Sequence, residues 1–155
     1  KPQRSDWKSP RDFYNVATVG LIRACVGRGD GTSNLILQGL QRVRLTAFVQ
    51  DAPFPIARIE PIDSVDPESE AESYGLGEKV LEIYSKLKRD GREFPEKVDR
   101  YLSDLGDPAM LADLMAATFV NDPFRRQQVL EERSVTERLR LVIQFLREEI
   151  DPTSA

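Results

Sequence analysis

The chain has 155 residues, 40% of them hydrophobic and 31% charged, and its net charge is −4 at pH 7. This size predicts one globular domain with a substantial core. A net negative charge with a pI near 5.0 provides no broad positive field for a phosphate backbone, so nucleic-acid binding is disfavoured except at a local patch. The sequence has no apolar run near the ~20 residues of a membrane helix, so we expect a soluble protein without a membrane partner.

The start of the chain and its cysteine content favour a cytoplasmic location. Residues 1–8 are basic and polar and lack the apolar region of a signal peptide. Cys25 is the single cysteine, so it cannot form a disulfide within the chain. Its apolar neighbours predict a small buried core residue in a reducing compartment.

Alternating apolar residues predict a β half at the beginning of the chain. Residues 43–49 place every second side chain on one buried face. That face carries Val43, Leu45, Ala47 and Val49. Phe48 falls on the opposite face, where a second sheet layer would be needed to bury it. The glycine cluster at residues 27–31 separates two apolar runs and predicts a hairpin, because glycine tolerates positive φ.

Prolines and acidic residues mark the end of this β half. Pro53 and Pro55 flank Phe54 and indicate a loop or sheet edge, because proline has no amide hydrogen to donate. The acidic residues 63–72 predict a solvated connector, and the apolar period changes there from about 2 to about 3.6 residues. We therefore predict a β half over residues 1–62 and a helical half over residues 70–150.

Five helices are predicted in the second half. The first is expected to end near Gly91, a suitable left-handed cap, and the next to open at Pro95. Asp107-Pro108 and Asp122-Pro123 each supply an N-cap followed by a first-turn proline, and residues 134–137 form a capping box. The expected bundle core comprises Leu76, Val80, Ile83, Tyr84, Leu87, Val98, Tyr101, Leu102, Leu105, Met110, Leu111, Leu114, Met115, Thr118, Val135, Leu139, Val142, Ile143, Leu146 and Ile150.

The residue types that common catalytic and cofactor sites require are missing or wrongly placed. No Gly-Lys-Ser/Thr follows the glycine cluster, so a phosphate cradle is not predicted. The chain has no histidine, which removes His-assisted hydrolysis and the common transition-metal sites. Carboxylates at residues 68–72 and 131–132 fit solvated helix ends. We therefore predict no catalytic, cofactor or metal residues.

Six segments taken in order resemble one known family. They are residues 14–22, 29–31, 35–45, 102–117, 129–140 and 145–150. Together they are similar to the N-terminal domain of the ATP-dependent Lon proteases, over residues 14 to 150. The resemblance implies an α+β fold, with a PUA-like twisted β-sheet or pseudo-barrel half followed by a C-terminal helical bundle.

The same resemblance implies a non-catalytic module that binds unfolded or damaged protein segments, or a partner protein. Such ligands would bind through an apolar surface or by adding a strand to a sheet edge. Phe48 and Phe54 are the candidate aromatic contacts. The alternative is a structural or oligomerisation module without substrate contact, whose partner would be a further copy of the chain. RNA binding, known among PUA-like folds, has only Arg42 and Arg44 in its favour, which do not form a patch.

The chain departs from the family pattern at both ends. The family's Leu-Pro-Leu-Phe-Pro-like opening strands do not precede residue 14, so we expect exposed sheet edges and a tendency to strand exchange. The sequence has no Walker-type loop, AAA+ module or Ser-Lys protease domain, so no proteolysis is implied. Residues 151–155 are typical of a chain end and favour a stand-alone Lon-domain protein.

Overall fold

The computed structural model describes residues 10–65, 67–91, 99, 102 and 106–150, and the chain forms two compact units, Lys1–Asp63 and Ser64–Ala155. The first unit contains a three-stranded antiparallel sheet and the second contains helices. This order of strands followed by helices confirms the predicted α+β class.

The sheet is built around one long central strand. Its strands are β1 (Val16–Gly27), β2 (Ser33–Gln50) and β3 (Ile56–Pro61), after a short 3₁₀ turn at Pro10–Asp12. β1 pairs with residues 33–44 of β2, whereas β3 pairs with residues 43–50. Val43 and Arg44 have strand partners on both sides, and the two-sided region extends by one residue each way, because the Leu45 amide donates to the Asn15 carbonyl at 2.7 Å and the Arg42 carbonyl accepts from the Ile62 amide at 2.9 Å. Val43 is 3% exposed and is the one fully buried apolar residue among the described residues of this unit.

The predicted hairpin turn is confirmed between β1 and β2. Gly29 and Gly31 have φ values of 79° and 86°, a region that costs L side chains energy. The Arg28 amide donates to the Thr32 carbonyl at 2.9 Å. The Asp30 carboxylate accepts from the Thr32 hydroxyl at 2.6 Å and from its amide at 2.9 Å. These two bonds, the hydroxyl bond first, lower the pKa of Asp30.

A bulge in β2 overturns part of the predicted face assignment. Leu45 pairs with Ile59 and Ala47 pairs with Arg58, which leaves Thr46 as an extra residue in β2. With the bulge, the covered side chains are therefore Val43, Leu45 and Phe48. Ala47 and Val49 are exposed. The predictions of a buried Ala47 and Val49, and of Phe48 on the opposite face, are wrong because a bulge shifts the two-residue period by one.

The prediction of a buried Cys25 is also wrong. Cys25 is exposed in β1, where it pairs with Leu35 of β2. At this position the sheet has only two described strands, and no described residue covers them. An apolar neighbourhood in sequence therefore does not bury this thiol.

The second unit contains four helices with described bounds. They are α1 (Glu70–Arg89), α2 (Pro108–Phe119), α3 (Pro123–Glu131) and α4 (Val135–Ile150). α1 begins inside the predicted acidic connector, because Ser69 Oγ accepts from the Glu72 amide at 3.3 Å. Gly91 follows it at φ 86°, as predicted. The helix predicted from Pro95 lies largely outside the described residues, although Asp99 and Leu102 within it are helical.

Side-chain caps define the starts of the other helices. Asp107 Oδ1 accepts from the Ala109 amide at 2.8 Å, and Asp122 Oδ1 accepts from the Phe124 amide at 2.7 Å. Both confirm the predicted N-caps. Ser134 Oγ accepts from the Glu137 amide at 3.3 Å, which forms one half of the predicted capping box. The Ser134 amide donates to Glu132 instead, at 2.8 Å.

The helical core follows the predicted stripes with one exception. The buried apolar residues of this unit are Val80, Tyr84, Leu87, Leu102, Leu111, Ala112, Met115, Ala116, Phe119, Val120, Val129, Val135, Leu139, Val142, Ile143, Phe145 and Leu146. Met110, predicted to point inward, is exposed, because the buried face of α2 runs through Ala112 and Ala116 instead. The predicted core residues Val98, Tyr101 and Leu105, and the side chain of Ile150, lie outside the described residues.

Candidate protein-binding surface

Eight aliphatic side chains of β1 and the first part of β2 are exposed to solvent, and seven of them, all beyond Val19, are at least 44% exposed. We call this set the apolar ribbon; it comprises Leu21, Ile22, Val26, Leu35, Ile36, Leu37 and Leu40. Ile22 is 62% exposed and Leu37 is 64% exposed. Exposed apolar groups that lie next to one another, rather than singly, mark binding surfaces in soluble proteins. The apolar ribbon is therefore the principal candidate site of the described residues.

The strand register places apolar residues on both faces of this ribbon. Ile22 pairs with Leu37, and the next pair, Ala24 with Ile36, points to the opposite face. The third pair, Cys25 with Leu35, returns to the face of Leu37. Neighbouring aliphatic side chains on one face cover one another only partly. No second layer of the described residues packs on a two-stranded ribbon to cover the rest. Both faces can therefore bury apolar area against a ligand.

The outer edge of β1 is long and is interrupted by one bulge, at Arg23. β1 is 12 residues long, has no proline and carries one charged residue, Arg23. By contrast, β3 is six residues long and includes Arg58, Glu60 and Pro61. Among the described residues, β1 pairs only with β2 along Val19 to Gly27. Its outward amides and carbonyls can accordingly pair with a further extended segment.

Charge is distributed unevenly between the strands and the rest of the chain. β1 and β2 contain Arg23, Arg42 and Arg44 and no carboxylate. The Arg23 Nε donates to Gln38 Oε1 at 2.6 Å, which holds this cation against the ribbon. The first unit has nine basic and six acidic residues, whereas the second has 13 basic and 20 acidic residues. The ribbon thus lies in the positively charged part of an acidic chain.

Two glycines allow the ribbon strands to approach each other closely. Gly20 pairs with Gly39, beside a bulge at Leu40. A Cβ atom added at Gly20 would lie 2.7 Å from the Gln38 carbonyl oxygen, and one at Gly39 would lie 3.2 Å from the Thr18 methyl group. Only a residue without a side chain fits at Gly20 without a backbone shift. This pair therefore sets the path of the ribbon.

The two predicted aromatic contacts occupy different environments. Phe54 is 60% exposed in the loop before β3, where its carbonyl accepts from Gln50 Nε2 at 3.0 Å. Phe48 is half-buried, and its ring centroid lies 5.5 Å from that of Phe13. The structure thus presents the Phe54 ring to solvent and packs the Phe48 ring in part against a neighbour. The apolar ribbon was not assigned from the sequence, although its consecutive aliphatic residues on both sides of the glycine turn were visible there.

The second unit offers weaker candidates. A cavity of about 500 Å³ lies near the starts of α1 and α2, with Tyr74, Glu70 and Asp107 among its lining residues. Elsewhere, Asp99 accepts from the Tyr84 hydroxyl and from Lys88 Nζ, each at 2.6 Å. Burial, followed by the bond to Asp99, raises the pKa of Tyr84 to about 12, while Lys88 and then Tyr84 lower the pKa of Asp99. This network ties two parts of the helical unit together.

The described part of the chain has neither a metal-binding cluster nor a membrane-spanning helix. It contains no group of three or more Cys, Asp or Glu side chains arranged to hold a metal ion. Its helices include none that combines the length and apolar character needed to cross a membrane.

Comparison with protein families gives a match over residues 1–148. The matching model describes the substrate-binding domain of ATP-dependent protease La (LON). The chain belongs to this family. The match is to the substrate-binding domain of Lon, so these 155 residues contain no ATPase or protease domain.

Curated relatives support the assignment to the Lon family. The chain is 31% identical over 143 residues to the Lon protease of Dictyoglomus thermophilum, which covers 92% of this chain and 18% of that protein. It is 35% identical over 141 residues to Lon protease 2 of Herpetosiphon aurantiacus, covering 90% of this chain and 17% of the relative. The chain therefore spans less than a fifth of the length of these Lon proteases.

A solved structure supports the fold. The N-terminal domain of Mycobacterium avium complex Lon protease aligns with a TM-score of 0.68 and 21% identity, over 94% of this chain and 74% of that one. This similarity confirms the expected Lon N-terminal fold.

Proposed function

We propose that this chain recognises protein segments with exposed apolar residues and does not cut them. The observation that carries the proposal is the apolar ribbon, which exposes aliphatic side chains on both faces in a member of a substrate-binding family. Burying such side chains against a ligand is favourable by roughly 25 cal/mol per Å². Unfolded or damaged proteins present the extended apolar segments that fit this surface.

Phe54 is the aromatic contact that we propose beside the ribbon. Its exposed ring and its position between two prolines keep it available at low entropic cost. Phe48 is the weaker of the two proposed contacts, because its ring packs near that of Phe13 and only part of it is open to a ligand. If alanine at both positions leaves binding unchanged while circular dichroism shows an intact fold, these two contacts are not part of the site.

The proposal is tested with a permanently unfolded, fluorescently labelled protein. The double variant Ile22→Ser with Leu37→Ser removes a cross-strand pair of the ribbon. We expect its affinity to fall about tenfold, which corresponds to about 1.4 kcal/mol. The matched control is Met110→Ser with Phe124→Ser, two exposed apolar residues of the helical unit. Equal binding by both double variants and the original chain would contradict the proposal.

The alternative function is an oligomerisation module without substrate contact. The long, weakly protected outer edge of β1 favours it, because two such edges can pair. Sedimentation across a hundredfold range of concentration, combined with the unfolded-protein assay, separates the two. Self-association without affinity for unfolded protein would favour the alternative. A cytoplasmic location remains a prediction from the sequence.

A further inference from the structure

We propose that residues 64–68 form a strap that docks reversibly on the helical unit (Ser64–Ala155) and, while docked, shortens its connection to the sheet unit (Lys1–Asp63). The buried Arg138 and the turn before α4 hold this strap. The inference goes beyond the proposed recognition of protein segments and does not depend on it. Residue 66 of the strap lies outside the described residues.

Backbone pairing holds the strap to the turn before α4. The Val65 amide donates to the Arg133 carbonyl at 2.9 Å, and Val65 and Ser134 form an isolated parallel bridge. The Arg133 carbonyl also accepts from a terminal nitrogen of Arg138 at 3.4 Å. One carbonyl oxygen therefore joins the strap, the turn and the start of α4.

Arg138 adds a bond to the strap from inside the helical unit. Its side chain is 1% exposed, and the terminal nitrogen that contacts the Arg133 carbonyl donates to Ser64 Oγ at 2.8 Å. The other terminal nitrogen donates to Asp113 in α2 at 2.9 Å, which positions the guanidinium independently of the strap. Hydrogen bonds from a charged donor are stronger than those between neutral groups. The docking position for Ser64 is thus built from two helices.

The strap itself buries little surface. Ser64, Val65 and Glu68 are exposed, and Pro67 is half-buried. Segments with few buried apolar contacts open locally at a lower free energy than the core on which they lie. We therefore expect the strap to open while the helices remain packed, because the bonds to Arg138 and to the turn are its main attachments.

Docking of the strap determines how many residues connect the two units. The Ile62 amide donates to a carbonyl of β2 at 2.9 Å, so the sheet extends at least to this residue. With the strap docked, at most one residue, Asp63, connects Ile62 to Ser64. With the strap released, residues 63–68 form the connection, up to the Ser69 N-cap of α1. The five added residues can extend by up to about 17 Å, at about 3.4 Å per residue.

Hydrogen exchange of the full chain tests whether the strap opens by itself. We expect the Val65 amide to exchange at least about tenfold faster than that of Val142, a fully buried residue of α4. Ser64→Ala removes the bond from Arg138 and should accelerate exchange at Val65 by about tenfold, with Val142 unchanged. Asp113→Ala is the matched control, because it removes the other bond of Arg138 and should accelerate Val142 more than Val65.

Double electron–electron resonance between two spin labels measures the length of the connection. The labels are attached at Glu60→Cys in β3 and Ser85→Cys in α1, both exposed positions, with Cys25→Ser to remove the exposed thiol. The strap variant combines Ser64→Ala with Val65→Pro, which lacks the amide hydrogen of the backbone bond. We expect its distance distribution to broaden toward longer distances than in the original chain.

Each outcome supports or overturns the strap. Equal exchange rates at Val65 and Val142 in the original chain, or no acceleration at Val65 by Ser64→Ala, would overturn its separate opening. An unchanged distance distribution in the strap variant, with an intact circular dichroism spectrum, would overturn the change in connection length. Equal broadening by Asp113→Ala would assign the effect to lost stability and also overturn it. Binding of unfolded protein should persist in every variant, so its failure concerns the proposed function alone.

Discussion

The guanidinium of Arg138 donates to the carboxylate of Asp113 at 2.9 Å from a position with no exposed surface. Arg138 lies in α4 and Asp113 in α2, and the Asp113 side chain is half-exposed. The second terminal nitrogen of Arg138 donates to Ser64 Oγ at 2.8 Å and to the Arg133 carbonyl at 3.4 Å. One buried cation therefore joins the segment before α1, helix α2 and the turn before α4.

We predict that Arg138→Ala destabilises the chain by about 2–4 kcal/mol. The substitution leaves a cavity and removes one hydrogen bond to Asp113, although the exposure of that carboxylate limits the loss. Urea unfolding followed by circular dichroism measures the change. Arg140→Ala is the matched control, because Arg140 is half-exposed and pairs with Glu72 and Glu137 at the surface. Its loss should be within about 1 kcal/mol.

Arg138→Met should lose less stability than Arg138→Ala. Methionine fills most of the space without a charge, and a buried ion pair often contributes little relative to a well-packed apolar residue. The buried Arg138 Nε makes no hydrogen bond to a described residue, so the substitution by methionine also removes the cost of desolvating this N–H group. An equal loss for methionine and alanine would show that the hydrogen bonds, rather than the packing, dominate.

Gly20→Ala should destabilise the β unit by about 1–3 kcal/mol. The added methyl group would lie 2.7 Å from the Gln38 carbonyl oxygen, which belongs to backbone and cannot rotate away. Gly27→Ala is the control, because a Cβ there meets nothing within 4 Å and its φ is not positive. Thermal unfolding should separate the two variants, and equal melting temperatures would contradict the close strand approach.

Asp122→Ala should cost about 1 kcal/mol by removing the N-cap of α3. Asp122 Oδ1 accepts from the Phe124 amide at 2.7 Å and from the Arg125 amide at 3.4 Å. Asp122→Asn retains an acceptor oxygen and should preserve most of the stability. Urea unfolding of the two variants side by side tests whether the hydrogen bond to the helix start is responsible.

Ionisation of Tyr84 should reduce stability in alkali. Its pKa is raised to about 12 by burial and by Asp99, from an ordinary value near 10. A raised pKa means that the contribution is complete below about pH 10 and is lost as the pH rises toward 12, because the unfolded chain releases this proton first. Absorbance at 295 nm during alkaline titration should show a late-titrating tyrosine that Tyr84→Phe removes.

The local signals that predicted this fold correctly were those with short-range physical causes. The glycine turn at Gly29 and Gly31 and the aspartate caps at Asp107 and Asp122 depend on backbone preferences within a few residues. The apolar stripe of α4 was also predictable from the sequence, because apolar residues recur at helical spacing along the whole helix. These features were predictable without knowledge of tertiary packing.

The errors arose where distant residues determine the outcome. A bulge at Thr46 depends on the pairing with β3, and the exposure of Cys25 depends on how many strands lie beside it. Burial of Arg138 was not predicted at all, because its partners Ser64 and Asp113 are far away in sequence. The apolar ribbon was missed for the same reason, since consecutive aliphatic residues in a strand ordinarily indicate a sheet covered on both faces.

β2 pairs with β1 along its first part and with β3 along its last part, and this arrangement also affects how the sheet can open. Because the segments on the two sides of β2 overlap only around residues 42–45, the end of the hairpin can separate without breaking the pairs between β2 and β3. Amide hydrogens near Leu35 and Leu37 should therefore exchange with deuterium well before that of Val43. We expect the central strand to open as two segments that meet near the buried Val43, so that an opening at the exposed end need not spread along its length.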